Sequence, residues 1–258
     1  MQVLILAGGL GTRLGEETHI KPKPMVEIGN HPILWHIMKY YAAFGHTEFG
    51  VLMGYKHEVI VDYFMQYHVH HSHLRIDLCN NDVRIFKPDC EPWIINLLNT
   101  GREAMTGARI RKARELVGND TFMLTYGDGL ADVDLNALLE CHRKSGKLAT
   151  LTAVQPAGRF GALDLAGDGT VRNFQEKPQG DGAWINGGFF VLEPEIFDFI
   201  PPGEQIMWEG EPLRALAVAG QLNAYKHHGF WHPMDMLKDK HTLCALWEQG
   251  RAPWKVWP

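Results

Sequence analysis

The residues best suited to chemistry lie in the first 25 positions, where Val3-Leu4-Ile5-Leu6-Ala7 runs into Gly8-Gly9-Leu10-Gly11-Thr12-Arg13 and then Lys21-Pro22-Lys23-Pro24. A buried strand that empties into glycines lets backbone N–H groups turn toward an anion and approach it closely. Arg13 can grip phosphate oxygens with paired hydrogen bonds, and Lys23 adds a compact charge on a flexible stem. The chemistry suggested is on phosphorus. A plain strand-to-turn connection with solvated cations is the alternative. Neither common nucleotide fingerprint fits: a P-loop needs four residues between its glycines and then Gly-Lys-Ser/Thr. In Gly9-Leu10-Gly11-Thr12-Arg13-Leu14, leucine stands where a dinucleotide fingerprint wants its third glycine.

Two carboxylates extend the pattern. Asp128 directly follows the apolar run Thr121-Phe122-Met123-Leu124-Thr125, within Tyr126-Gly127-Asp128-Gly129. It is therefore expected at a strand's carboxyl edge, where ligands of open α/β sheets sit. Such a carboxylate suits Mg²⁺, which binds through one or two carboxylates plus substrate phosphates; a turn cap is the competing role. Asp235 ends Phe230-Trp231-His232-Pro233-Met234-Asp235 just before a helical run, so it aims at a metal or serves as an N-cap. Glu176-Lys177-Pro178 and Trp184-Ile185-Asn186-Gly187-Gly188 offer a carboxylate, an ammonium and exposed backbone to a sugar phosphate. An ion-bearing turn followed by a bulge explains them equally. His68, His70, His71 and His73 lack supporting cysteine or carboxylate spacing, and so read as a solvated loop or subunit contact rather than a metal centre.

The elements that must position these residues alternate. After the first strand, helices are expected over Pro32 to Phe44, Glu58 to Tyr67 and Thr106 to Leu116, the last with Thr106 as N-cap, and a strand over Phe49 to Met53. From Leu148 the pattern is richer in strands: Ala149 to Val154, Gly161 to Leu165, Val171 to Gln175 and Ile185 to Leu192, with Gly167-Asp168-Gly169 as a hairpin turn. Helices close the chain at Pro194 to Ile200 and Met236 to Glu248. This is an α/β chain: a Rossmann-like, mainly parallel sheet flanked by helices, with an appended β-rich portion. No linker divides it, so one domain over 1–258 is expected, nucleotide-binding to about 147 and sugar-phosphate-binding beyond.

Composition narrows the partners. With 258 residues and 45% apolar content the chain can bury a sizeable core. A formal charge of −5 without runs of like charge argues against a nucleic-acid or membrane-surface binder. The four cysteines have neither C-x-x-C spacing nor clustering, which fits reduced thiols in a cytoplasmic protein. Met1-Gln2 leads into the strand without a basic n-region, and no apolar run approaches the roughly 18 residues of a membrane span.

With these residues assembled, the chain resembles the sugar-1-phosphate nucleotidyltransferases. The likeness is carried by Gly8 to Leu14, Lys23-Pro24, Gly127-Asp128, Glu176-Lys177-Pro178 and Asn186-Gly187-Gly188, in order over most of the chain. A narrower likeness, to members that use CTP and α-D-glucose 1-phosphate, rests on Lys21 to Gly29, Ile33-Leu34-Trp35-His36-Ile37-Met38, Gly158-Arg159-Phe160-Gly161-Ala162-Leu163 and Trp231 to Asp235. His232 and Ala108 depart from the family pattern, where glutamine and glycine are usual.

The resemblance implies a nucleotide-diphospho-sugar transferase fold. The implied reaction is in-line attack of the sugar phosphate on the α-phosphorus of CTP, giving CDP-glucose and pyrophosphate. It implies Mg²⁺ on Asp128 and Asp235, with Arg13, Lys23 and Asp128 as the catalytic residues. Nucleotide contacts would come from Leu6, Ala7, Gly8, Gly9, Leu10, Gly11, Thr12, Arg13, Lys23, Thr106, Arg109, Gly127 and Asp128, and sugar-phosphate contacts from Glu176, Lys177, Asn186 and Gly187. A homo-oligomer is implied too. The same reaction with UTP, dTTP or GTP, and a non-catalytic nucleotide-sugar sensor, are the alternatives.

Overall fold

In the first strand Val3, Ile5 and Ala7 are buried on one face, and Leu4 and Leu6 on the other. A strand apolar on both faces belongs in the middle of a sheet with helices on each side. Val3, Leu4, Ile5 and Leu6, at about 2 kcal/mol each, make it an anchor from which the following turn departs in a fixed direction. The computed structural model bears this out; it describes residues 1–88, 90–156, 162–175 and 183–258.

Seven strands form the central sheet: β1 (Gln2–Ala7), β2 (Glu48–Met53), β3 (Ile94–Asn99), β4 (Phe122–Tyr126), β5 (Ala149–Val154), β6 (Ile185–Leu192) and β7 (Leu222–His227). Their order is 3-2-1-4-6-5-7. β6 runs antiparallel to both neighbours, and the remaining pairs are parallel. The helices are α1 (Ile33–Ala43), α2 (His57–His70), α3 (Thr106–Lys112), α4 (Leu135–Ser145), α5 (Glu211–Val218) and α6 (Leu237–Glu248), joined by shorter turns. Ile33, Leu34 and Ile37 of α1, Leu243 of α6 and Trp254 cover one face of the sheet. Ile110 of α3, Trp208, and Leu213 and Leu216 of α5 cover the other.

Chain order moves outward from β1 to β3 and then returns to β4 on the opposite side. The reversal opens a crevice beyond the carboxyl ends of β1 and β4. Gly8 and Gly127 leave those two ends, and Gly127 N–H continues the ladder by donating to Leu6 O at 2.9 Å.

The fold class matches the expectation: β5, β6 and β7 extend the mostly parallel central sheet, and among the described residues the hairpin Ala162–Leu165/Val171–Gln175 and the pair Gly129–Ala131/Trp231–Pro233 stand apart from it. Some details need correction. The helix expected over Thr106 to Leu116 breaks at Ala113 and resumes as Arg114–Val117, and its N-cap is Met105. Thr106 therefore sits inside the first turn, its hydroxyl committed elsewhere. Pro194–Phe199 winds as a 3-10 helix. His68 and His70 belong to the last turn of α2 and His73 to the strand Ser72–Asp77, rather than to a loop. Among the described residues no group of three or more His, Cys, Asp or Glu is arranged to hold a metal, and no helix is long and apolar enough to cross a membrane.

Candidate active site

The turn after β1 is shaped by what it must avoid. A Cβ on Gly8 would strike the Arg109 guanidinium, and Gly11 adopts φ +64, where any side chain is strained. Gly11 O accepts from Thr18 Oγ1 at 3.1 Å and from Leu14 N at 3.0 Å, pinning the loop from the outside. The Arg13 backbone lies in the 3-10 turn Thr12–Leu14; its side chain lies outside what the structure describes.

Beneath the loop sits Arg109, only 4% exposed. Its Nη2 donates to Gly8 O (2.9 Å), and its Nη1 donates to Met53 O (3.0 Å), Thr100 Oγ1 (2.6 Å) and Gly101 O (2.7 Å). One guanidinium thus fastens the ends of β1, β2 and β3 together, as five fixed donors allow. Burial lowers its proton affinity from the ordinary value, while Glu204 acts in the opposite sense.

Lys23 follows Pro22 in a 3-10 turn, Lys23–Met25, whose Pro24 and Met25 are buried. Its ammonium donates to Asp128 Oδ2 at 2.5 Å and to Asp235 Oδ1 at 2.7 Å, across sequence separations of 105 and 212 residues. The two aspartates meet because Trp231–Pro233 pairs antiparallel with Gly129–Ala131 and Met234 N donates to Asp128 O at 2.8 Å. Asp235 is not the N-cap of α6: Met236 holds that position, and Asp239 Oδ2 accepts from the N–H groups of Asp235 (3.0 Å) and Met236 (2.8 Å).

These pieces line one cleft of about 490 Å³. Its lining includes Leu6, Ala7 and the loop from Gly8 to Thr12, together with Lys23, Gly127, Asp128 and Asp235. Thr106 and Arg109 line it as well, as do Arg102, Met105, Gln205 and Met207, which sequence reasoning did not single out. Asn186 and Gly187 are outside this lining, and Asn186 reaches it through Tyr126, whose hydroxyl accepts from Asn186 Nδ2 at 3.1 Å. The same Asn186 accepts from Gly188 N at 2.9 Å. Gly187 is explained by packing: a Cβ there would meet Val154 Cγ1 at 2.8 Å and Thr152 O at 3.0 Å. Glu176, Lys177 and the Gly158-Arg159-Phe160-Gly161 motif lie outside the described residues.

Glu209 is the further residue the sequence did not reveal. Its carboxylate accepts from Tyr126 Oη at 2.5 Å and from Thr106 Oγ1 at 2.6 Å. Burial and the neighbouring Glu209 push the Tyr126 hydroxyl well above the usual phenol range, so it stays protonated.

The donor set fits a small hard cation. Two carboxylates from distant segments already converge on one ammonium, and two carboxylates with substrate phosphate oxygens are what Mg²⁺-type ions take.

Comparison with known proteins accords with this geometry. The chain is 53% identical over 258 residues, all of both chains, to the glucose-1-phosphate cytidylyltransferase of Salmonella typhimurium. It is 44% identical over 257 residues, again the full length of each, to a probable glucose-1-phosphate cytidylyltransferase of Bacillus subtilis. In fold it matches HddC from Yersinia pseudotuberculosis with a TM-score of 0.70 at 23% identity, covering 95% of this chain and 99% of that one. A UDP-glucose pyrophosphorylase complexed with UDP-glucose matches at 0.68 and 18% identity, covering 97% and 99%. The nucleotidyl transferase model spans residues 2–232, from the first strand to the ladder that carries Asp235 toward Asp128, and the chain belongs to that family.

Proposed function

We propose that this chain joins CTP to α-D-glucose 1-phosphate, releasing CDP-glucose and pyrophosphate. The observation that carries the reading is the meeting of Lys23, Asp128 and Asp235 at the mouth of the glycine loop, in a chain 53% identical end to end to a glucose-1-phosphate cytidylyltransferase. A phosphate oxygen of the sugar phosphate attacks the α-phosphorus, a new P–O bond forms, and the bond to the β-phosphate oxygen breaks in line. No group on the protein becomes covalently attached, so positioning and charge neutralisation carry the catalysis.

The glycine-loop amides cradle the triphosphate, and Arg13 steadies the departing pyrophosphate. Lys23 neutralises charge at the α-phosphorus. Asp128 and Asp235 hold Mg²⁺, which when bound screens the phosphates and draws electron density from them. Glu176, Lys177, Asn186 and Gly187 receive the sugar phosphate. The test is pyrophosphate release from purified protein with Mg²⁺, glucose 1-phosphate and each nucleoside triphosphate in turn. CTP is expected to exceed UTP, dTTP and GTP, and preferential turnover of UTP would reject the reading.

Self-association forms part of the same proposal. The hairpin Ser72–Asp77/Asp82–Pro88 exposes Ile76, Leu78, Val83, Ile85 and Phe86. A lone two-stranded hairpin with bare apolar side chains is marginal in water, and a second copy of the chain would cover it. Light scattering should give a mass above 29.2 kDa that falls toward it in Leu78→Asp. A monomeric wild type ends this part of the proposal.

A further inference from the structure

Thr106 and Tyr126 both line the cleft, and the hydroxyls of both are oriented by Glu209. An ionised carboxylate only accepts, so each hydroxyl spends its single proton on Glu209. Toward the cleft they can then offer lone pairs and nothing else. Tyr126 already accepts from Asn186 Nδ2. Thr106 accepts from Trp208 N at 2.8 Å, which leaves one lone pair on its oxygen. The backbone around it is fixed: Met105 N donates to Glu204 O at 2.8 Å and Gly107 N to Ile206 O at 2.9 Å. A Cβ on Gly107 would lie 2.9 Å from Ile206 O, so the backbone at Gly107 packs directly against that of Ile206.

Thr106 lines the same cleft as Lys23, Asp128 and Asp235, but its hydroxyl bonds Glu209 and Trp208 instead of joining that charge cluster. A nucleotide whose triphosphate lies against Lys23 and the glycine loop has its base elsewhere in that cleft, where the Thr106 oxygen is an acceptor. Cytosine and uracil differ there in polarity: cytosine presents an amino donor where uracil presents a carbonyl acceptor. An oxygen that can only accept rewards the first and leaves two acceptors facing each other in the second.

We propose that Glu209 is a positioning residue for base selection, locking the Thr106 hydroxyl as an acceptor that reads the exocyclic amino group of cytosine. This rests on the reading that CTP is the substrate. Asn186 and Tyr126 complete the lock from the sugar side, so the carboxylate ties base choice to the strand that enters Asp128.

The test compares kcat/KM for CTP and for UTP in the full-length protein with Mg²⁺ and glucose 1-phosphate. Glu209→Ala frees the Thr106 hydroxyl to turn and donate to a carbonyl, and Thr106→Val removes the oxygen. Each should lower the CTP-to-UTP ratio by about tenfold or more, with the circular dichroism spectrum unchanged. Thr106→Ser should keep the wild-type ratio. If wild type prefers CTP and both Glu209→Ala and Thr106→Val lower activity on the two nucleotides equally, the inference is overturned and the substrate reading stands. If wild type prefers UTP, the substrate reading itself fails and this inference falls with it.

Discussion

The two edges of the central sheet carry polar clusters of opposite character. At the carboxyl edge Lys23, Asp128 and Asp235 share side-chain exposures of 12%, 32% and 23% and open onto the cleft. At the other edge His142, 1% exposed, accepts or donates through Nδ1 to Thr150 Oγ1 (2.9 Å) and through Nε2 to Glu193 Oε1 (3.0 Å), while Thr121 Oγ1 donates to Glu193 Oε2 at 2.8 Å. A hydroxyl, an imidazole and a carboxylate in a row have the composition of a catalytic triad. Thr150 is fully buried, however, and every ring nitrogen and carboxylate oxygen in that row has a protein partner. Residue types alone therefore do not make a site. A closed polar network fastens α4 to β5 and the end of β6, and an open one leaves its groups facing the cleft.

The sharpest way to break the contrast is substitution at each edge. Asp128→Asn should cost about a thousandfold in kcat, about 4 kcal/mol of transition-state stabilisation, with little change in thermal midpoint. Near-normal turnover would remove Asp128 from the reacting centre. His142→Ala should do the reverse, losing about 3 kcal/mol of stability in urea unfolding because Thr150 and Glu193 lose a buried partner, with kcat unchanged in the folded fraction. A large fall in kcat there would erase the distinction.

A smaller effect sharpens it. His36 is fully buried, donates from Nε2 to Ile28 O at 2.9 Å and accepts from Trp254 Nε1 at 3.4 Å, and burial pushes its pKa down to about 4. Its folded pKa lies below the unfolded one, so stability is whole above about pH 6.5 and drains as pH falls toward 4, where the unfolded chain takes up a proton that the native state refuses. The loss should reach about 2 kcal/mol by pH 5. Thermal midpoints measured across this range should slope in wild type and flatten in His36→Gln.

Legibility in sequence followed periodicity and composition. Uninterrupted apolar runs marked β1 and β4, and α1 was bounded within one residue by Pro32 and Phe44. Asp128 was placed correctly because a buried strand can end only at a sheet edge. By contrast β7, Leu222–His227, is half exposed and lacks such a run, and α4 carries only three buried residues behind a polar surface. Thr106 was misread as a cap because its hydroxyl serves Glu209, a partner 103 residues away. Glu209 itself left no local trace: a carboxylate before a glycine is ordinary until the fold brings two hydroxyls to it. Local signals see neighbours in the chain, and both networks are made of neighbours in space.

The separations that Lys23 spans have a consequence for a protein that would consume a costly triphosphate. Its ammonium acquires its last carboxylate only when the segment at Asp235 has folded back against the strand pair beginning at Gly129. A nascent or prematurely terminated polypeptide holds the glycine turn but no complete charge centre.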